Sequence, residues 1–219
     1  MPSGAEPFLP ADASIATLTQ AVQHCEGCDL YRNATQAVFS RGPVDATMVF
    51  VGEQPGDEED QRGAPFVGPA GRLLVGALRD AGVDPPSVYV TNTVKHFKCE
   101  LRGKRRIHQT PQRAEIVACR PWLLAELRLT SPRVLVALGA TAAGALLGPS
   151  FRVTRSRGEL MPWPDAAFRP DEFTAADPKH PVQIMATIHP SAVLRADDRD
   201  KAYAGLVADL TIARKAAAP

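Results

Sequence analysis

Residues 47–56 read TMVFVGEQPG. The apolar run Met48-Val49-Phe50-Val51 stops at a glycine, and the polar pair Glu53-Gln54 follows before Pro55-Gly56. A short unbroken apolar run bounded by turn residues reads as a strand covered on both faces, because a half-exposed strand would alternate. Three more stretches read the same way: 88–92 (VYVTN), 133–138 (RVLVAL) and 184–188 (IMATI). Between the first two, residues 71–81 set Leu73, Leu74, Ala77, Leu78 and Ala81 on one helical stripe. Residues 111–129 repeat the pattern with Ile116, Val117, Leu123, Leu124 and Leu127, and Pro121 is the expected kink. Residues 140–147 and 198–213 make two further helices. Strands alternating with helices predict an α/β fold class: three layers, α/β/α, around a central, mainly parallel sheet of about four strands. Such sheets bind ligands beyond the carboxyl ends of their strands. Here those ends are residues 52–56, Asn92 with the stretch after it, Gly139, and His189-Pro190-Ser191.

The chain has 219 residues, 45% of them hydrophobic, which suits a single domain over 1–219 with a real core. Residues 1–13 are expected to be flexible. They hold two acids and no Lys or Arg, unlike the basic start of a signal peptide, so a cytoplasmic protein is expected. No run of about 18 apolar residues predicts a membrane span. Proline- and glycine-rich patches at 41–44 and 161–180 read as surface excursions. The second is an irregular loop holding Asp165, Asp171 and Asp177, with a short hairpin at its start. A monomer is the default expectation.

Net charge is only +1, yet residues 95–113 hold seven Lys or Arg against one acid, Glu100. Acids gather elsewhere, as in Asp57-Glu58-Glu59-Asp60. A near-neutral chain can thus present one basic lip to phosphates, although a charge run is also what a solvated loop looks like. No glycine-rich loop ends in Gly-Lys-Ser or Gly-Lys-Thr, which argues against a phosphate-loop nucleotidase. Four cysteines in an intracellular chain of this size point to a metal site rather than a disulfide framework. Cys25 and Cys28 form a two-residue-spaced pair and Cys119 is the natural third ligand. The fourth is His96 or Cys99, and zinc remains an alternative occupant.

GEQPGDEED after a buried strand, then PFVGPAGRLL, VYVTNTVKHFK and IHPS, resembles the uracil-DNA glycosylase superfamily, and within it the iron–sulfur branch. The stretch GKRRIHQTP is similar to the insertion marking the X class, which bonds covalently to DNA after excising uracil. The resemblance runs from about Cys25 to near the C-terminus. It implies a DNA-repair enzyme acting on uracil-containing DNA, single-stranded DNA included, and an iron–sulfur cluster, [4Fe-4S]. Relatives in that branch place a cysteine directly after the Val-Lys pair, where this chain has His96. Imidazole replaces thiolate on iron in some clusters, so position favours Cys25, Cys28, His96 and Cys119 as the ligand set.

A base-excising enzyme must take its nucleotide out of the stack. It then needs a flat surface, an amide to read the base edge, and donors aimed at the oxygen that becomes anionic. The resemblance gives Phe66 the stacking role. Asn92 presents a donor and an acceptor matching the O4 and N3–H edge of uracil. His189 is placed to donate to uracil O2, and backbone N–H groups around Gln54 add to the cradle, with Gly52 and Gly56 permitting close approach. Each residue also has a plainer reading as core, cap or turn. Glu53 and Asp57 are the carboxylates expected near the sugar. The X-class resemblance makes His108 the group that attacks C1′, with Glu53 orienting its ring. Lys104, Arg105 and Arg106 are expected to grip phosphates beside the flipped nucleotide, and Arg195 on the other side. The competing readings are a turning-over glycosylase that uses water, and a non-catalytic single-strand-binding module. The low aromatic content of 6% speaks against the second.

Overall fold

The computed structural model describes residues 4–163 and 182–218. Its elements follow the chain as α1 (Ile15–Ala21), β1 (Met48–Gly52), α2 (Asp57–Arg62), α3 (Pro69–Asp80), β2 (Tyr89–Asn92), β3 (Cys99–Arg102) and β4 (Arg105–His108). Then come α4 (Arg113–Thr130), β5 (Val134–Leu138), α5 (Gly139–Leu147), α6 (Val153–Ser156), β6 (Leu160–Pro162), β7 (Gln183–Thr187), α7 (Pro190–Leu194) and α8 (Arg199–Ala217).

The central sheet has five strands in the order β2-β1-β5-β7-β6. The first four are parallel and coincide with the four apolar runs, while β6 adds an antiparallel edge. Every residue of β1 and β5 is buried, as expected of strands covered on both faces. Alternation sorts their side chains between two cores. Val49, Val51, Leu135 and Ala137 pack with Leu123 and Leu127 of α4 and Ala142 and Leu146 of α5. Met48, Phe50, Val134 and Val136 pack on the other face with Leu74 and Leu78 of α3 and Leu206 and Leu210 of α8. Each such large side chain contributes about 1.5–3 kcal/mol on burial, so the sheet and its two helical layers form one cooperative body. Helix α4 runs on through Pro121 to Thr130.

Two expectations change here. The sheet gains a fifth strand, β6. The basic stretch after Asn92, read as a loop, is a separate two-stranded hairpin, β3–β4, in the register Cys99↔His108 and Leu101↔Arg106. At the N-terminus, Ala5 is buried and its N–H donates to Ala118 O at 2.9 Å. Asp165, Asp171 and Asp177 lie outside the described residues. No helix among the described residues is long and apolar enough to cross a membrane.

Candidate active site

The carboxyl ends of β1, β2, β5 and β7 open on a cavity of about 740 Å³, lined by Glu53, Gln54, Phe66, Asn92, His108, His189 and Arg195 among others. That volume lies within the roughly 300–1,000 Å³ of small-molecule sites. Gly52, the last residue of β1, does not line the cavity but lies against two residues that do. A methyl group there would stand 2.4 Å from Asn92 Oδ1 and 2.8 Å from Phe66 Cζ. Glycine is what allows the amide and the aromatic ring to meet over the strand end. Phe66 holds a left-handed backbone, φ 55°, which costs a bulky residue roughly 1–2 kcal/mol and marks a conformation kept by its surroundings.

Those surroundings include Glu59, a residue the sequence reading passed over. Its carboxylate accepts from Gly56 N (3.1 Å) and Gly68 N (2.7 Å), tying the loop after β1 to the loop carrying Phe66. Gly56 serves this tie, since a methyl there would lie 2.6 Å from Glu59 Oε2. A carboxylate three residues into a helix reaching back to its cap is a recognisable pattern, and it was available at Gly56-Asp57-Glu58-Glu59.

Glu53 faces the cavity between two partners. Its Oε1 lies 3.3 Å from His108 Nε2, and its Oε2 accepts from the Thr141 hydroxyl at the start of α5. Burial would push the Glu53 carboxyl up. The hydrogen bonds from His108 and Thr141, with the charges of His108 and His189, outweigh that and hold it below the usual carboxylate range. His108 ends β4 and is half-exposed. Its ring leans on Phe97, with centroids 6.1 Å apart.

His189 caps α7. Its Nδ1 accepts from Ser191 N at 3.1 Å, which leaves the neutral ring its proton on Nε2. Burial, reinforced by Arg195 and His108 and opposed by Glu53, pushes its pKa down to about 4. The ring is therefore a neutral donor at physiological pH. A nitrogen-detected NMR titration of His189 is expected to show a midpoint near 4. The unfolded chain takes up this proton near 6.5, so the stability contribution is complete above that pH. It is lost as pH falls from 6.5 toward 4, up to roughly 3 kcal/mol.

The remaining residues divide. The Gln54 side chain donates to Gln109 O (3.0 Å) and Lys98 O (3.3 Å) and accepts from Lys98 N (3.0 Å). It bolts both feet of the hairpin to the sheet edge, a role other than the backbone cradle expected there. Asp57 does not line the cavity. It pairs with Arg106 at 2.6 Å, and Arg106 also bonds Thr35 Oγ1 (3.0 Å) and Asp60 Oδ2 (2.5 Å), a carboxylate with no exposed surface. Arg106 thus anchors the hairpin to α2, leaving Lys104, Arg105 and Arg195 exposed.

Cys25, Cys28 and Cys119 sit in one buried apolar cluster beside Trp122, whose Nε1 donates to Cys25 Sγ at 3.2 Å. Lys95 N donates to Cys119 Sγ at 3.3 Å, which brings the chain at His96 alongside. Burial pushes the Cys28 thiol up and the Cys119 thiol up to about 12. His96 is buried and feels Asp60. Cys99 is part-exposed at the foot of the hairpin, 3.9 Å from Asn33 O. Among the described residues, no three His, Cys, Asp or Glu side chains converge as a single-ion site. The three thiols share one buried apolar cluster, a donor set that fits a thiolate-bound metal group.

The arrangement is an α/β fold whose cavity, at the carboxyl edge of the sheet, is walled by an aromatic ring, an amide, a histidine–carboxylate pair and a neutral histidine donor. The chain belongs to the uracil DNA glycosylase superfamily, which it matches over residues 39–211. It is 37% identical over 179 residues to a type-4 uracil-DNA glycosylase of Thermotoga maritima, covering 81% of this chain and 82% of that one. It is 34% identical over 178 residues to the type-4 enzyme of Pyrobaculum aerophilum (81% and 83%). With that of Archaeoglobus fulgidus it shares 32% over 185 residues (83% of each).

Proposed function

We propose that this protein excises uracil from DNA, single-stranded DNA included, and is then held covalently on the sugar through His108. The observation that carries the reading is the His108–Glu53 pair, 3.3 Å apart, inside the cavity that also holds Phe66, Asn92 and His189. Uracil stacks on Phe66 and is read by the Asn92 amide. As the C1′–N1 bond breaks, its electron pair leaves with uracil, and the Nε2–H of neutral His189 donates to the O2 that gains charge. The His108 nitrogen not facing Glu53 supplies the lone pair for the new bond to C1′. The positive charge stays on the imidazolium, whose N–H remains against the Glu53 carboxylate. Thr141 holds that carboxylate in place. Lys104, Arg105 and Arg195 meet phosphates, while Arg106 and Gln54 hold the hairpin.

Cys25, Cys28, Cys119 and His96 would hold an iron–sulfur cluster, [4Fe-4S]. Uracil excision is not a redox reaction, and the group's contribution when bound is structural: it staples the N-terminal segment to the segment leading into the hairpin. The working form is a cytoplasmic monomer in this reading, since one chain completes the cavity.

The deciding experiment is a denaturing gel of the protein mixed with a uracil oligonucleotide and its thymine counterpart. A slow, SDS-resistant band with uracil alone is expected. Alkali-labile strands without such a band would make this a turning-over glycosylase, and neither signal would leave a DNA-binding module. Gly52→Ala is expected to cut capture by about two orders of magnitude with little change in melting temperature, because its methyl displaces Asn92 and Phe66 together.

A further inference from the structure

Lys95 and Glu126 form the one ion pair among the described residues with both side chains wholly out of solvent. The Lys95 ammonium donates to Thr91 Oγ1 (2.7 Å), to Asn92 O (2.9 Å) and to Glu126 Oε2. Its three protons are thereby used. Glu126 accepts in turn from the hydroxyls of Tyr89 (3.0 Å) and Thr91 (2.9 Å). The network joins three residues of β2 and the turn beyond it to the C-terminal third of α4.

A buried pair of this kind is a poor source of stability. Desolvating two charges costs several kcal/mol each, and apolar replacements of similar volume are often neutral or stabilising. The placement offers another reason for it. Past Asn92 the chain leaves the ladder and turns to hydrogen-bond back on β1, Thr93 N to Gly52 O (2.9 Å) and Val94 N to Glu53 O (3.0 Å). The Asn92 carbonyl is the acceptor left over at that turn, and a buried carbonyl needs a donor. Lys95 supplies it from three residues on. The peptide bearing the Asn92 amide is thus gripped from behind, while Gly52 and Phe66 bound its side chain in front.

We propose that Lys95 and Glu126 are positioning residues that set the Asn92 amide for reading uracil. The proposal rests on the reading of Asn92 as the uracil-binding amide. The pair never touches the base and governs how well the base is held, as supporting shells do where displacements near 1 Å matter.

The test uses the full chain in three forms: wild type, Lys95→Met/Glu126→Gln, and Thr91→Val. The double variant removes both charges and keeps an acceptor for Tyr89 and Thr91. Three quantities are measured: inhibition of capture by free uracil, the capture rate at saturating uracil oligonucleotide, and affinity for a uracil-free single strand. In the double variant, inhibition by uracil is expected to weaken about tenfold and the saturating rate to fall about tenfold, with uracil-free DNA bound within about twofold of wild type. Thr91→Val removes only the hydroxyl shared by the pair, and about a threefold loss of uracil inhibition is expected. A folded double variant inhibited and captured like wild type overturns the proposal. If the double variant does not fold, unchanged uracil inhibition in Thr91→Val overturns it. A wild-type chain indifferent to uracil takes down the functional reading and this one together. A competent wild type with equally competent variants takes down the positioning pair alone.

Discussion

His108→Ala is expected to abolish the SDS-resistant protein–DNA band, a loss of at least about three orders of magnitude in capture rate, because alanine offers C1′ no lone pair. The hairpin itself should survive. It is held by Gln54 at its feet and by Arg106 on Asp57 and Asp60, none of which depends on the imidazole. Binding to uracil DNA should therefore stay close to wild type, and the variant should still protect the oligonucleotide from nuclease. Glu53→Gln separates orientation from charge. Glutamine keeps an acceptor for Thr141 and the shape of the side chain, yet removes the negative charge facing the imidazolium. Capture is expected to slow by about 10²–10³ and still reach the same end-point band. A band that persists in His108→Ala would assign the bond to another side chain. A band that vanishes while alkali-labile sites accumulate would show that water can take the imidazole's place in this cavity.

The legible parts of this fold were those whose physics is local. Four parallel strands buried on both faces leave unbroken apolar runs, and each run sits within a residue or two of a strand. Strand β6 is three residues long, lies at an edge and ends in a proline, so it carries no such run. The β3–β4 hairpin has charged residues on both faces, and it is held by its cross-strand pairing, the Gln54 bracket and the Arg106 anchor rather than by an apolar face. At the site, Glu53, Asn92 and His189 could be gathered in advance because the carboxyl edge of a parallel sheet collects them, whereas His108, at the end of the separate hairpin, was named by the family resemblance alone. Partnerships across long separations were not readable. Arg106 reads as a phosphate ligand in the sequence, and its pairing with Asp60, 46 residues away, leaves no local signal. Thr141 meets Glu53 across 88 residues. Lys95 reads as a surface residue in any sequence, since lysine is almost never fully buried unless paired, and Glu126 is 31 positions further on.

With the proposed ligand set of Cys25, Cys28, His96 and Cys119, removing one thiolate should empty the cluster site. In Cys25→Ser or Cys119→Ser, the visible absorbance and the iron and inorganic sulfide of the purified protein are expected to fall to background, because three sulfurs and one imidazole leave no ligand to spare. The structural consequence follows from the neighbours. Cys25 receives the Trp122 indole N–H, Cys119 receives the Lys95 amide, and Ala5 hangs on the carbonyl of Ala118. Residues 4–30 should become protease-sensitive in these variants while the central sheet stays resistant, with a loss of about 3–5 kcal/mol concentrated in the N-terminal segment. The fourth ligand is decided by a second pair. His96→Ala is expected to lose iron, whereas Cys99→Ser keeps it, since Cys99 stands part-exposed at the hairpin foot beside Asn33 O. The opposite result would move the ligand onto the hairpin itself and tie the His108 strand directly to the metal. Zinc found in place of iron in the wild type, with no sulfide, would remove the cluster and keep the proposed staple, because either occupant on Cys25, Cys28 and Cys119 would join the same N-terminal turn to α4.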